Sequence, residues 1–205
     1  MKSKICKIEN GIKDLDAILA ESEKVAVYNE LTHKQTLQLR LFCEEIDGML
    51  PNIIDDFNGD FWIEFENGVC KVNLSLRFDK FTAEKKEGLV ALAKNKKNAA
   101  VVGIVGKIRS AIEDAFFAEE PLNVGEMPYS SHYFATEYYG SMDNYSGMDY
   151  ACLWSLEQYR STVKREEKTE AWDELEKSVI ASVADDVIVG VKGKNAGITI
   201  IKKFM

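Results

Sequence analysis

This chain of 205 residues lacks several features that mark particular protein classes. It has only 3 prolines, and apolar residues make up 46% of it, so a sizeable core is expected and global disorder is excluded. No apolar run reaches the roughly 18 residues that a membrane-spanning helix needs. The first residues, MKSKICKIENG, lack the apolar centre of a signal peptide. We therefore expect a soluble, cytoplasmic protein with no membrane partner.

Cysteine and histidine are also sparse, with 4 and 2 residues respectively. No two cysteines form a CxxC unit, and His33 and His132 lie far apart, so the spacing of a structural zinc site is missing. Cys43 and Cys70 lie in apolar runs, which predicts small, buried hydrophobic side chains. We expect no metal site.

The balance of charge is acidic, with a net charge of −8 and a pI near 5.0. Phosphate backbones usually bind to a basic surface, so nucleic acid is not an expected partner. The exception is a lysine-rich run within residues 85–97. We interpret this run as the solvated face of a helix.

Apolar periodicity predicts helices in the first quarter of the chain. Residues 12–21 have helical spacing, and residues 24–28 form a short apolar run that we predict to be extended. A helix is predicted from 33 to 50. Thr32 would cap its start and Pro51 would end it.

Two hairpins are predicted. In DFWIEFENGVCKVNLSLRF, apolar and polar residues alternate on both sides of Asn67-Gly68, a dipeptide that suits a type I′ turn. The C-terminal DDVIVGVKGKNAGITIIKKF predicts a second hairpin that turns at residues 192–196.

Further helices are predicted at 82–97, in the glycine-containing KNAAVVGIVGKIRSAIEDAFF, and over 151–184. This mixture predicts one α+β domain spanning residues 1–205. Its expected architecture is a two-layer sandwich, with a mixed, mostly antiparallel sheet and helices on one face.

Residues 120–150 are predicted to be an insertion within that domain. Six of the eight tyrosines lie here, and the tyrosine-rich stretch continues to 154. Tyrosine suits interfaces and ligand platforms. A flap that covers a sheet face, or a contact in a homodimer, is the alternative interpretation.

The helix LRLFCEEIDGMLPNII, residues 39–54, carries two adjacent glutamates with different predicted surroundings. Glu44 lies one turn from Arg40, which predicts a surface ion pair. Glu45 borders the apolar stripe and could face a cavity, where it would be partly desolvated and suited to act as a base. The alternative is a solvated position at the rim. The stripe consists of Leu39, Phe42, Ile46, Met49 and Ile53.

This order of elements, a helix with a central glutamate, a hairpin, a glycine-containing helix entry and a closing hairpin, resembles the histidine-kinase-like ATPases (the GHKL or Bergerat fold). The anti-sigma-factor kinase branch is the nearest in outline, over residues 24–109 and 171–204. In that family a helix carries Glu-x-x-x-Asn, in which the glutamate activates the attacking water or hydroxyl and the asparagine ligates Mg²⁺. The resemblance places the catalytic glutamate on Glu45 and the asparagine position on Met49. A thioether does not ligate a hard cation, so this position departs from the family pattern.

The resemblance also implies nucleotide-binding residues. The family's Asp-x-Gly-x-Gly motif, which binds adenine, corresponds to Asp79, although the glycines are absent. The family's glycine-rich phosphate segment corresponds to Gly103, Gly106 and Lys107, where a helix N-terminus and a lysine would hold an anion. Close packing of two helices at the glycines is an equally weighted alternative.

The resemblance implies an ATP- or ADP-binding regulatory protein with a protein partner of the sigma-regulator type. If active, it would be an ATP-dependent protein serine/threonine kinase or an ATPase, and the departure at Met49 argues against Mg²⁺. The alternative is a non-catalytic protein–protein interaction module that kept the fold and lost ATP chemistry. A third alternative is an unrelated α+β domain that shares only the order of elements.

Overall fold

The structure is a computed structural model that describes residues 1–9, 15–53, 57–77, 104–117, 151–165, 178–192 and 195–204. Its strands are β1 (Cys6–Glu9), β2 (Asn58–Glu66), β3 (Val69–Arg77), β4 (Ala151–Ser155), β5 (Asp186–Lys192) and β6 (Asn195–Lys203). Its helices are α1 (Leu15–Tyr28), α2 (His33–Ile53), α3 (Ile104–Phe117), α4 (Leu156–Arg165) and α5 (Val179–Val183).

The six strands form one sheet in the order β1-β2-β3-β6-β5-β4, and every described pairing is antiparallel. β3 and β6 pair along their whole lengths, from Val69 opposite Lys203 to Arg77 opposite Asn195. This central pairing joins the N-terminal strands to the C-terminal ones.

Both predicted hairpins are confirmed. Asn67 and Gly68 have φ angles of 51° and 77°, the left-handed values that a type I′ turn needs at both central positions. Glu66 and Val69 close this turn as paired residues. The second hairpin joins β5 to β6 with Lys192 opposite Asn195.

One face of the sheet packs against the helices. Its inward side chains include Ile63, Leu74 and Ile198, which are fully buried in a single apolar cluster to which every described helix contributes. α1 contacts β2, α3 contacts β4 and β5, and α2 contacts both α1 and α3, so α2 is the middle helix of the layer. The predicted α+β class, with helices on one sheet face, is confirmed for the described residues.

The opposite face is more polar and has buried residues of its own. Trp62, Ile188 and Ile201 are buried there but lie outside the apolar cluster beneath the helices. Asn73 is also buried on this face and accepts a hydrogen bond from the Thr199 hydroxyl at 3.0 Å.

The predicted start of α2 is confirmed. Thr32 accepts a hydrogen bond on its hydroxyl from the Gln35 backbone N–H at 3.4 Å, and the Gln35 side chain accepts one from the Thr32 N–H at 2.8 Å. This reciprocal pair is a capping box.

The extended segment predicted at 24–28 is wrong, because these residues belong to α1. Val25 and Ala26 continue the buried stripe of that helix, so tertiary packing overrides the strand preference of valine. The helix ends at Tyr28, and Glu30 just beyond it has a φ of 53°. There the Leu31 N–H donates to the Ala26 carbonyl and the Glu30 N–H to the Val27 carbonyl, the hydrogen bonds of a Schellman motif.

Two other predicted boundaries are also wrong. Pro51 does not end α2, which continues to Ile53. Proline lacks the backbone N–H that would donate to the preceding turn, but only a fraction of a turn follows Pro51, so the helix can still reach Ile53. Residues 151–155 are strand β4 rather than helix, because their short apolar run pairs with the edge of β5. β1 was not predicted.

Two glycines provide a matched test of the fold. A Cβ at Gly59 would clash with the Ser75 carbonyl oxygen, whereas one at Gly48, on the exposed side of α2, would meet nothing within 4 Å. We expect Gly59→Ala to destabilise by about 1–3 kcal/mol through overpacking. We expect Gly48→Ala to stabilise by about 0.5–1 kcal/mol through helix propensity. Urea unfolding measures both, and equal effects of the two substitutions would contradict the described packing.

Candidate functional site

The candidate site is built on α2, the middle helix of the layer. The apolar stripe predicted on this helix is confirmed, with Leu39, Phe42, Ile46 and Met49 all buried. The side chain of Ile53 lies outside the described ones. This buried stripe fixes the rotation of α2, and the rotation decides where its charged residues point.

Glu44 is on the surface. Its carboxylate accepts a hydrogen bond from Arg40 Nε at 2.9 Å, and the two side chains are 42% and 43% exposed. The predicted ion pair is confirmed. An exposed pair of this kind contributes about 0.3–0.5 kcal/mol.

Glu45 has different surroundings from its neighbour. Arg40 also approaches Glu23 of α1 at 3.5 Å, which identifies the α1-facing flank of α2. Because successive residues are rotated by about 100° around a helix, Glu45 lies about 140° from Arg40, on the other flank. That flank faces the side of α2 on which α3 packs. Glu45 is half-buried, and no described residue forms a hydrogen bond or ion pair with its carboxylate.

Met49 lies one helical turn beyond Glu45. It is only 4% exposed and belongs to the apolar cluster. Its thioether packs among hydrocarbon side chains, so this position does not fit a Mg²⁺ ligand. Among the described residues there is also no cluster of three His, Cys, Asp or Glu side chains that could hold a metal ion.

α3 begins at Ile104, directly after Gly103, and carries the other described candidates in its first turn. Gly106 is buried, whereas Lys107 is exposed. The Lys107 ammonium lies 5.6 Å from the centroid of the Tyr159 ring, a cation–π contact between α3 and α4. The predicted helix is confirmed, but Gly106 and Lys107 lie inside its first turn rather than in a segment that precedes it. The structure thus brings Lys107 to the outer surface of α3 and Gly106 to its packed side.

Tyr159 is a neighbour of the site that sequence reasoning missed. Its ring lies 6.0 Å from that of Trp154 and beneath the Lys107 ammonium. These two aromatic residues lie about fifty positions after Lys107 in the sequence. The predicted helix over 151–184 would also have pointed the Trp154 side chain in a different direction from the one that the strand gives it. The strand-to-helix turn after Ser155 brings the two rings together, with Tyr159 next to Lys107 of α3.

Several predicted features lie outside the described residues. These include the remaining nucleotide candidates, Asp79 and Gly103, and the insertion at 120–150 with His132. The helix at 82–97, with its lysine-rich run, is also outside them. The functional roles assigned to all five candidate residues, Glu45, Asp79, Gly103, Gly106 and Lys107, stay predictions.

Comparison with known proteins adds no relative, since no family model, curated protein or solved structure matches the chain. In the part of the chain that the structure describes, no helix is long and apolar enough to cross a membrane. The protein's function therefore has to be argued from its own geometry.

The two cysteines beneath the site are core residues, as predicted. Cys43 and Cys70 are buried, and burial raises the pKa of Cys43 from 9.0 to about 12 and that of Cys70 in the same direction. A hydrogen bond with Ser22 of α1 opposes the shift at Cys43 without cancelling it. Thiolates are the reactive form, so neither cysteine is suited to act as a nucleophile at neutral pH.

We expect Cys43 and Cys70 to resist iodoacetamide in the native protein at about pH 8 and to react once urea unfolds it. Mass spectrometry of the labelled peptides measures this. The pKa of the Cys43 thiol is near 9.0 in the unfolded chain and about 12 in the folded protein. The protonated thiol therefore makes its full contribution to the stability of the fold below pH 9.0. We expect that stability to be lost as pH rises toward about 12. Labelling of either cysteine without unfolding would contradict the burial.

Proposed function

We propose that this protein is a regulatory protein that binds ATP or ADP, with a histidine-kinase-like ATPase fold, and that it does so without Mg²⁺-dependent phosphoryl transfer. One observation carries the proposal. A half-buried glutamate that no described residue pairs with lies on the flank of α2 that faces α3, and α3 begins with a glycine-containing turn and an exposed lysine.

The start of α3 supplies the groups that a phosphate needs. The first four backbone N–H groups of a helix have no partner within it, and the helix dipole favours negative charge there. The Lys107 ammonium adds a positive charge within the same turn. In this proposal Gly103, Gly106 and Lys107 hold phosphate, and Asp79 binds the adenine amino group. Both Asp79 and Gly103 come from the resemblance, outside the described residues.

Buried Met49 is the reason for excluding metal-dependent catalysis from the proposal. Replacing it with asparagine would place an amide in the apolar cluster, where a group without hydrogen bonds costs about 1–3 kcal/mol. In this proposal Met49 corresponds to the family's metal-ligand position, and here that position belongs to the core. Glu45 could still act as a base or orient a water molecule, but no described ligand would bring Mg²⁺ beside it.

A second function is favoured by the contacts of α3 itself. Gly106 is buried and Lys107 lies over the Tyr159 ring, which suits close packing of α3 against its neighbours. On these contacts the protein is a non-catalytic interaction module, and a regulatory protein or a second copy of the chain would be its partner. The two functions differ in whether a nucleotide binds at all.

Calorimetric titration with ATP and ADP, with and without Mg²⁺, separates these functions. We expect saturable binding that Mg²⁺ does not strengthen. Asp79→Asn should abolish it. Lys107→Gln should weaken it by about tenfold or more, because a hydrogen bond to a charged group contributes about 1.5–3 kcal/mol.

The matched control is Lys34→Gln, which removes the same charge from an exposed position in the first turn of α2. It should leave the affinity unchanged. Absence of binding up to millimolar nucleotide would overturn the nucleotide proposal and favour the interaction module instead. Binding that requires Mg²⁺ would overturn the argument from Met49.

A further inference from the structure

A groove lies on the side of the sheet away from the helices. It has a volume of about 510 Å³, within the usual range for small-ligand sites of roughly 300–1,000 Å³. Its polar lining comes from the ends of four strands, and the residues are Lys7, Glu9, Asn58, Asp60, Ser75, Arg77 and Asn195.

The strand register explains how these side chains come together. Asn58 is directly opposite Arg77, which in turn is opposite Asn195, so the three form one row across β2, β3 and β6. Residues paired in this way point to the same face, with Cβ atoms about 4.5–5.5 Å apart. Arg77 therefore stands between two carboxamide side chains.

The next row leaves space beside Arg77. Here Asp60 is opposite Ser75, and Ser75 is opposite Gly197, so β3 and β6 contribute only a hydroxyl group and a glycine. At the other end of this row Asp60 is held by Lys7, whose ammonium lies 2.6 Å from its carboxylate. The small side chains form a depression, and the ion pair forms one side of it.

Arg77 carries the charge that distinguishes the groove. Its side chain is exposed, and no described residue forms an ion pair with it. Lys7 and Asp60 neutralise each other, so the guanidinium is the cation that remains for a ligand. A guanidinium presents parallel N–H donors that match the two oxygens of a carboxylate or phosphate, and flanking amide groups can donate to the same oxygens.

We propose that this groove binds the oxyanion group, carboxylate or phosphate, of a small molecule through Arg77, with Asn58 and Asn195 as flanking donors. Glu9 lies beside Asn58 in the same row and opposes a second negative charge at that end. The groove therefore favours ligands with one anionic end over polyanions. It lies on the opposite sheet face from α2 and α3, so it is independent of the proposed nucleotide site.

The test is an NMR titration of the isotope-labelled full chain with inorganic phosphate and, separately, with acetate, each at ionic strength matched with sodium chloride. We expect saturable shifts of the Arg77 side-chain N–H and of the backbone amides of Asn58 and Asn195. Arg77→Gln should weaken binding by about tenfold or more, since it removes both the positive charge and the parallel N–H donors of the guanidinium. Arg77→Lys, which keeps the charge alone, should recover only part of the affinity.

The control Lys34→Gln makes the same change of charge on the helix side and should bind as the unaltered protein does. Response to both anions supports a general oxyanion site, and response to phosphate alone supports a phosphorylated ligand. The proposal is overturned if chloride produces the same shifts, if neither anion saturates by tens of millimolar, or if binding persists in Arg77→Gln. The nucleotide proposal is tested separately from this one. ATP binding that depends on Lys107 but not on Arg77 would support the nucleotide site and would not bear on the groove.

Discussion

The pairing of β3 with β6 is the interaction on which the rest of the structure depends. It joins residues more than a hundred positions apart along nine consecutive pairs, from Val69 opposite Lys203 to Arg77 opposite Asn195. On one face, Leu74 and Ile198 lie opposite each other in the core beneath the helices. On the other face the same register places Arg77 beside Asn195. A slip of one residue would exchange the two faces, so both candidate sites depend on this register.

The two faces of the sheet carry different chemistry. The helix layer encloses an apolar cluster, and its candidate site residues, Glu45 and Lys107, lie where α2 and α3 meet solvent. The far face carries paired charges and amides, and Arg77 is the cation of its groove with which no described residue forms an ion pair. Met49 shows how the core limits the first site, because its thioether is buried in the packing that stabilises α2 and leaves no oxygen ligand for a metal one turn beyond Glu45.

Short sequence motifs predicted those parts of the fold that depend only on neighbouring residues in the chain. Asn67-Gly68 specifies its own turn, and the Thr32–Gln35 capping box specifies the start of α2. The stripe on α2 correctly separated Glu44 from Glu45. In contrast, residues 24–28 and 151–155 are short apolar runs without a decisive period, and only their packing or strand partner determines their structure. The groove around Arg77 could not be predicted from the sequence for the same reason. Its residues come from four strands, and only the strand register brings them together.

We propose that a nucleotide binds on the helix side of this sheet without metal. The most direct measurement is NMR shift mapping of the labelled protein with ATP in the presence of a chelator. We expect chemical-shift changes at the backbone amides of Glu45 and of residues 104–107, and none at Arg77 at the end of β3. Shifts confined to Asn58, Arg77 and Asn195, or no shifts at all, would contradict it.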